Sequence, residues 1–452
     1  MSAETGLIPE REDAEKLLHD FDAAIPVTEA APMGLQHVVA AIAGIVTPTV
    51  LLGNAVKGAA PDTTTLLISA GLIFSGLATL IQSFPIFKRF GARLPLLFGS
   101  AVAYVPVLMT IGANYGLGAV FTSQIIGGAA VMFLGLFIKK IRVLFPPQVT
   151  GSVIIAIGLS LFPVVVKYMA GGEGAATFGS SKNWALAMIT FVIVFLLNTF
   201  AKGIAKLASL LIGMILGYLI ALPLGMVDLG SVQTAGLFQL PKFMHFGIDI
   251  QIVPILTIVV IMIVDAAQII GQSTATTVGA MDRQPTGREL SGAVMGSGFI
   301  NFFGGMFGGM ICSPFGQNVG LTTMTKVVNK HVMAFASVVL IIAGLFPKLS
   351  AILISIPYPV LGGAMISVFA TIMMTGINML FAAERSQKTN TIVGTALAFG
   401  VGISLAQGAL KGFPDWVTTM FGHSGVIMTA LAAVILNVIL NFDEVKVGLH
   451  RS

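Results

Sequence analysis

The 452 residues are 56% hydrophobic and only 10% charged, with a mean hydropathy of +0.96, whereas soluble domains carry roughly 25% charged residues. A single core cannot absorb that much apolar material, because cores stop growing near ~250–300 residues, so the excess must face lipid. The lone Cys312 excludes an intrachain disulfide framework and a multi-cysteine metal site. The net charge of +5 is spread over short loops rather than massed in a patch, which argues against nucleic acid as a partner.

In chain order, residues 1–31 are polar and acidic and read as a cytoplasmic tail with a short helix around 11–22. They lack the basic-then-apolar character of a cleavable signal. A membrane span needs about 20 mostly apolar residues. Spans are expected near 33–55, 64–84, 94–112, 116–138, 148–168, 184–200 and 204–223, then near 251–272, 290–308, 315–328, 331–347, 350–376, 391–410 and 424–441. Residues 442–452 form a second tail. The third and tenth of these fourteen segments are cut by polar and helix-breaking residues.

Loop charges bear on this count. With a cytoplasmic N-terminus, the loops after even-numbered spans should be basic. They hold Lys88, Arg89 and Arg93, then Lys139, Lys140 and Arg142, then Lys202 and Lys206. Further on they hold Arg283 and Arg288, Lys326 and Lys330, and Arg385 and Lys388, fourteen in all against six (Lys57, Lys167, Lys182, Lys242, Lys348, Lys411) on the other side. The asymmetry favours fourteen spans with both termini inside. Twelve spans plus two re-entrant segments is the alternative.

Seven and seven invites a repeat, and the broken segments hold the same ordinal place in each half. The third contains "RLPLLFGSAVAYVP" and the tenth "CSPFGQNVG". Matched interruptions of this kind point to a transporter's midplane site. Non-helical backbone is tolerated at membrane depth only where protein buries it or a cavity adjoins it. Freed amides and the positive end of a half-helix are then available to a polar or anionic ligand.

The stretch "QNVGLTTMTK" (317–326) resembles the signature of the nucleobase–ascorbate transporter family, also called the nucleobase:cation symporter-2 or xanthine/uracil permease family. Gln317, Asn318, Gly320, Thr325 and Lys326 fill that signature. "LQHVVA" (35–40), "LFPPQVTGSVIIAIGLSL" (144–161) and "IPYPVLGGAMISVF" (356–369) resemble the same family in the same order, and the likeness runs over about 33–441. The resemblance implies an all-α polytopic membrane protein of two inverted seven-span repeats, with short extended stretches in spans 3 and 10. It implies a core domain of residues 32–142 and 251–347 and a gate domain of 143–228 and 348–441, with the substrate between them. It further implies a homodimer in the cell (inner) membrane, importing a nucleobase with protons, sodium being the alternative coupling ion. No cofactor, metal or catalytic residue is expected.

The site residues follow. A side-chain amide offers one acceptor and two donors and can pair with the edge of a purine dione, which suits Gln317, with Asn318 as its orienter. The other reading of such amides is bonding between helices. Gln rather than Glu at 317 goes, in the family, with xanthine or urate. The family's carboxylate in span 8 aligns on Gln268, and its second, in span 9, on Ser297, so both positions are neutral here. Asp265, one turn before Gln268, is the only acidic residue in any expected span. A carboxyl group in hydrocarbon costs at least ~2.5–3.5 kcal/mol and is functional by default, so Asp265 is the candidate for proton or cation coupling. A fixed hydrogen-bond acceptor is its other reading. His37 either ties span 1 to the core or acts near Asp265. Ala103 and Tyr104 offer a backbone amide and an aromatic face, or plain packing. Gln272, Ser273 and Thr276 either face the same cavity or bond their own helix, the latter being favoured.

Overall fold

The computed structural model describes residues 17–446 apart from 57–59, 61, 138–143, 145, 173, 203–204, 207, 235, 382, 385, 407, 415–416, 419–420, 422–424 and 444–445. Residues 1–16 of the acidic tail, most of 442–452, and Lys57, Lys139, Lys140, Arg142 and Arg385 lie outside the described residues.

The first half comprises α1 (Val27–Ala55), α2 (Thr63–Ser83), strand β1 (Phe98–Ser100), a 3-10 turn (Val102–Tyr104), α3 (Val105–Gly135), α4 (Pro147–Met169), α5 (Ser181–Phe200), α6 (Ser209–Ala221) and the short α7 (Gly230–Thr234). The second half comprises α8 (Ile252–Met281), α9 (Gly287–Met306), strand β2 (Cys312–Pro314), α10 (Gly316–Thr325), α11 (Lys330–Leu345), α12 (Pro347–Ile354), α13 (Tyr358–Phe381), α14 (Gln387–Leu405) and α15 (Gly425–Leu440).

Both interrupted segments become strands, and they pair. Pro95 and Pro314 lack the N–H a helix needs and push the preceding residue toward extended backbone. β1 and β2 then run antiparallel, with Phe98 opposite Pro314, Gly99 opposite Ser313 and Ser100 opposite Cys312. The ladder continues through Ala101 N–H to Ile311 O and Phe315 N–H to Leu97 O, both 2.8 Å. Helix resumes only after each strand, so residues 94–97 of the third expected span are not helical.

The loop expected between spans 3 and 4 shrinks to one residue. Gly116, at φ +81° and ψ 176°, divides α3 into two helical halves, a conformation that glycine adopts without a Cβ penalty. The span expected over 350–376 begins instead in α12, breaks before Pro357 and resumes as α13, while α11 and α12 meet at an 80° bend at Pro347. Among the described residues seven helices are long and apolar enough to cross a membrane, or eight if that bent pair is one span. Most of the other expected spans fall on shorter helices, such as the 13-residue α6 and 10-residue α10.

Two sets of helices pack most closely among themselves. α1, α2, α3, α8, α9, α10 and α11 form one set around the strand pair, and α4, α5, α6, α13, α14 and α15 form the other. Glycines permit backbone contact at the tightest crossings. A Cβ on Gly128 of α3 would meet Gly298 O of α9 at 2.8 Å, and one on Gly151 of α4 would meet Gly376 O of α13 at 2.9 Å, the small-residue packing typical of membrane helices.

Three loops that the charge pattern assigns to one side do meet at one end of the molecule. Residues 17–23 lie across them. The Asn329 amide donates to Leu17 O, Asp20 O and Ala23 O at 3.1, 2.9 and 2.8 Å. Asp22 pairs with Arg93 at 2.7 Å and Lys330 at 2.8 Å. Lys326 pairs with Asp282 at 3.0 Å, and Arg288 donates to Lys88 O at 3.0 Å.

Candidate functional site

Near the middle of α8 the two helix sets separate around a cavity of about 360 Å³. One wall is the broken backbone: Ala101, Val102 and Ala103 after β1, and Ser313 through Gln317 from β2 into α10. α8 supplies Asp265, Gln268 and Gln272 at helical spacing, which puts them on one face. The opposite wall comes from the other set, with Ile154 and Ile157 of α4 and Val368, Thr371, Ile372 and Thr375 of α13.

The polar groups have distinct situations. Asp265 is buried, and its Oδ1 accepts from Ser313 Oγ at 2.9 Å, joining α8 to β2. Gln317 is exposed at the first turn of α10, where N–H groups have no intrahelical acceptor. The 3-10 turn leading into α3 presents a second helix start at the same cavity. Gln272 lies beside Gly316, with its Oε1 buried and without a hydrogen-bond partner. Three side-chain amides and one carboxyl group thus converge with two helix N-termini, in a space whose remaining wall is mostly apolar apart from the hydroxyls of Ser313, Thr371 and Thr375. Such a site can pair several edges of a flat polar molecule while burying its faces.

The structure brings together Gln317, Gln268, Ala103, Asp265 and Gln272 of the residues expected from sequence. The other six, Asn318, His37, Tyr104, Ser297, Ser273 and Thr276, are not among the residues lining the cavity. Asn318 Nδ2 contacts His37 Nδ1 at 3.0 Å and donates to His37 O at 2.9 Å, fastening α10 to α1. Tyr104 is fully buried near the Asp265 carboxyl group, its hydroxyl without a hydrogen bond of normal geometry. Ser297 lies on the far side of β2, where its hydroxyl contacts Cys312 O at 3.4 Å. Ser273 and Thr276 return their hydroxyls to Ile269 O and Gln272 O of their own helix. Gln272 does not follow them, contrary to the favoured expectation, because its longer side chain reaches past the helix backbone.

Sequence reasoning named none of the α4 and α13 wall residues. The stretches 144–161 and 356–369 were visible as signatures, but nothing in a run of aliphatic residues says which face meets a cavity. Thr371 and Thr375, four apart on one face, are two of the few polar residues in α13.

Residues 28–408 match the Permease family (Xan_ur_permease). The chain is 34% identical to the xanthine permease of Bacillus subtilis (strain 168) over 418 residues, covering 92% of this chain and 94% of that one. It is also 34% identical to the uric acid permease PucJ of the same organism over 424 residues, covering 92% and 93%. Its fold is similar to the murine Solute Carrier 26 family member A9 anion transporter in the inward-facing state, with a TM-score of 0.62 at 13% identity, over 98% of this chain and 73% of that one.

Proposed function

The chain belongs to this permease family, a multi-pass membrane transporter rather than an enzyme, and on that premise we propose that it imports a purine nucleobase, xanthine or urate, as a secondary active transporter. The cavity carries the reading: Gln268, Gln272 and Gln317 surround one small space, and Gln272 Oε1 has no partner of its own. An unmet buried acceptor costs about 1–3 kcal/mol, a cost relieved by an N–H on a bound base. The same cost makes the site reject bases whose donors and acceptors are misplaced.

Proton coupling is assigned to Asp265, the one carboxyl group lining the cavity, while His37 and Asn318 hold α1 against α10. Two inverted seven-span repeats fit the packing, since α2 on α11 and α9 on the second half of α3 are equivalent contacts under a seven-span shift. The two helix sets are then a core and a gate that rock against each other, in a homodimer with both termini cytoplasmic. The exposed faces of α8 (Gly271, Ala275, Val278) and α10 (Gly320, Met324) lead from the cavity toward the Asp282–Lys326 end, which fits access from the cytoplasm.

A second reading keeps the fold and drops proton symport, for a facilitator or a sodium-coupled carrier of another base or small anion. The neutral Gln268 and Ser297 favour it. Uptake of labelled xanthine, urate, guanine and uracil into proteoliposomes, with and without a pH gradient, separates the two. Accumulation of xanthine or urate driven by the gradient is expected. Indifference to proton and sodium gradients alike would remove symport, and exclusion of every base would remove the substrate class.

A further inference from the structure

Each strand of the β1–β2 pair has an outer edge that its partner strand cannot satisfy, and unmet strand edges are not tolerated at membrane depth. On β2 the edge is met by one side chain. Cys312 N–H donates to Asn301 Oδ1 at 2.7 Å, and Asn301 Nδ2 donates back to Cys312 O at 3.0 Å. That reciprocal pair is what a third antiparallel strand would make. The second amide hydrogen goes toward Ser297 Oγ at 3.3 Å. On β1, Phe98 N–H donates to Thr79 Oγ1 at 3.0 Å, and the Thr79 hydroxyl lies 2.8 Å from Ser75 O and 3.3 Å from Phe98 O. Asn301 and Thr79 are fully buried and do not line the site cavity.

We propose that Asn301 and Thr79 are positioning residues for transport, side-chain clamps that set where β2 and β1 lie and thereby hold the cavity groups in place. Cys312 is followed directly by Ser313, which bonds Asp265, and five residues on by Gln317. A shift of β2 therefore moves both ends of the polar wall. The clamps come from α9 and α2, equivalent helices of the two halves, and grip the first residue of each strand. Ser297, at the position where the family resemblance places a second carboxylate, contacts both members of this clamp, Asn301 Nδ2 at 3.3 Å and Cys312 O at 3.4 Å. The inference rests on the transport reading for its consequence, but not for its geometry.

Cys312 is the only cysteine in the chain and is 1% exposed, so its alkylation by N-ethylmaleimide reports the position of β2 without reference to any substrate. Asn301→Ala in proteoliposomes is expected to speed alkylation about tenfold and to raise the KM for the base by a similar factor with Vmax little changed, the scale of one buried polar pair left unmet. Asn301→Thr, which offers a hydroxyl like that of Thr79, is expected to recover most of both. A folded Asn301→Ala protein with wild-type alkylation, KM and competition profile overturns the proposal. Should Asn301→Ala fail to fold, Thr79→Val and Thr79→Ser replace it: a raised KM in the first that the second restores supports the clamp, and an unchanged KM overturns it. If the wild type takes up no base while Asn301→Ala still exposes Cys312, the substrate reading fails and the clamp stands.

Discussion

Ser313 donates to Asp265 across 2.9 Å, so the one carboxyl group of the cavity is bonded to the broken backbone rather than to another charge. Its polar neighbours, the Ser313 and Tyr104 hydroxyls, are neutral, so no ion pair fixes the charge on the carboxyl group. The Ser313 bond also joins the Asp265 side chain directly to β2.

Asp265→Asn preserves size and hydrogen bonding to Ser313 but takes up no proton. Accumulation driven by a pH gradient is expected to fall to the level seen without one, while binding of xanthine or urate, followed by ligand-induced thermal shift, persists. Gradient-driven accumulation in that variant would leave Asp265 a structural acceptor.

Gln317→Glu replaces two donors with acceptors at the first turn of α10. Competition against labelled xanthine should change order among the bases, with xanthine and urate losing about tenfold or more, since one mismatched buried pair costs about 1–3 kcal/mol. An unaltered order of competitors would dismiss Gln317 from substrate pairing.

Asn318→Ala removes both contacts to His37 and leaves the buried His37 Nδ1 without its Asn318 partner. Thermal stability in detergent should fall by the equivalent of about 1–3 kcal/mol, with the order of competing bases unchanged. A changed order at unchanged stability would place Asn318 in the cavity after all.

Residues 17–23 offer a pH test outside the membrane. The hydrogen bond from Lys330, and after it Arg93, hold the Asp22 carboxyl below its ordinary 3.8, against a smaller opposing effect of burial. A lowered folded value means that its stabilisation is complete above 3.8 and is lost as pH falls through the lower folded value. Protection of the Val328, Asn329 and Lys330 amides, which donate to Leu18 O and Phe21 O, should hold from pH 7 to about 4.5 and decline only below 3.8, after correction for intrinsic exchange. Loss of protection between pH 7 and 5 would show that Asp22 does not secure this segment.

How much of the site was legible depends on the kind of signal each residue carries. Gln317 and Asp265 announce themselves because a polar group in an apolar run is costly and so has a reason to be there. Asn301 sits in such a run as well, yet its purpose is invisible in sequence, because a backbone partner eleven residues away has no residue-type signature. Ile154 and Ile157 are harder still, since a cavity wall and a lipid-facing surface favour the same side chains. Gln272 and Ser273 are neighbours with the same two options, and the helix turn of about 100° between them, together with side-chain length, separated them.

By itself the sequence determined that this chain lives in a membrane, that two of its segments break at matching places, and where the sparse polar groups stand along it. Hydrophobicity, proline and glycine act locally, so they can be read locally. Only the tertiary structure decided that the two breaks pair as strands, that Asn318 faces His37 rather than the cavity, and that α4 and α13 close the opposite wall. Those outcomes depend on which helix faces meet, and contacts between residues hundreds of positions apart are settled by packing and by the need to satisfy every buried backbone group.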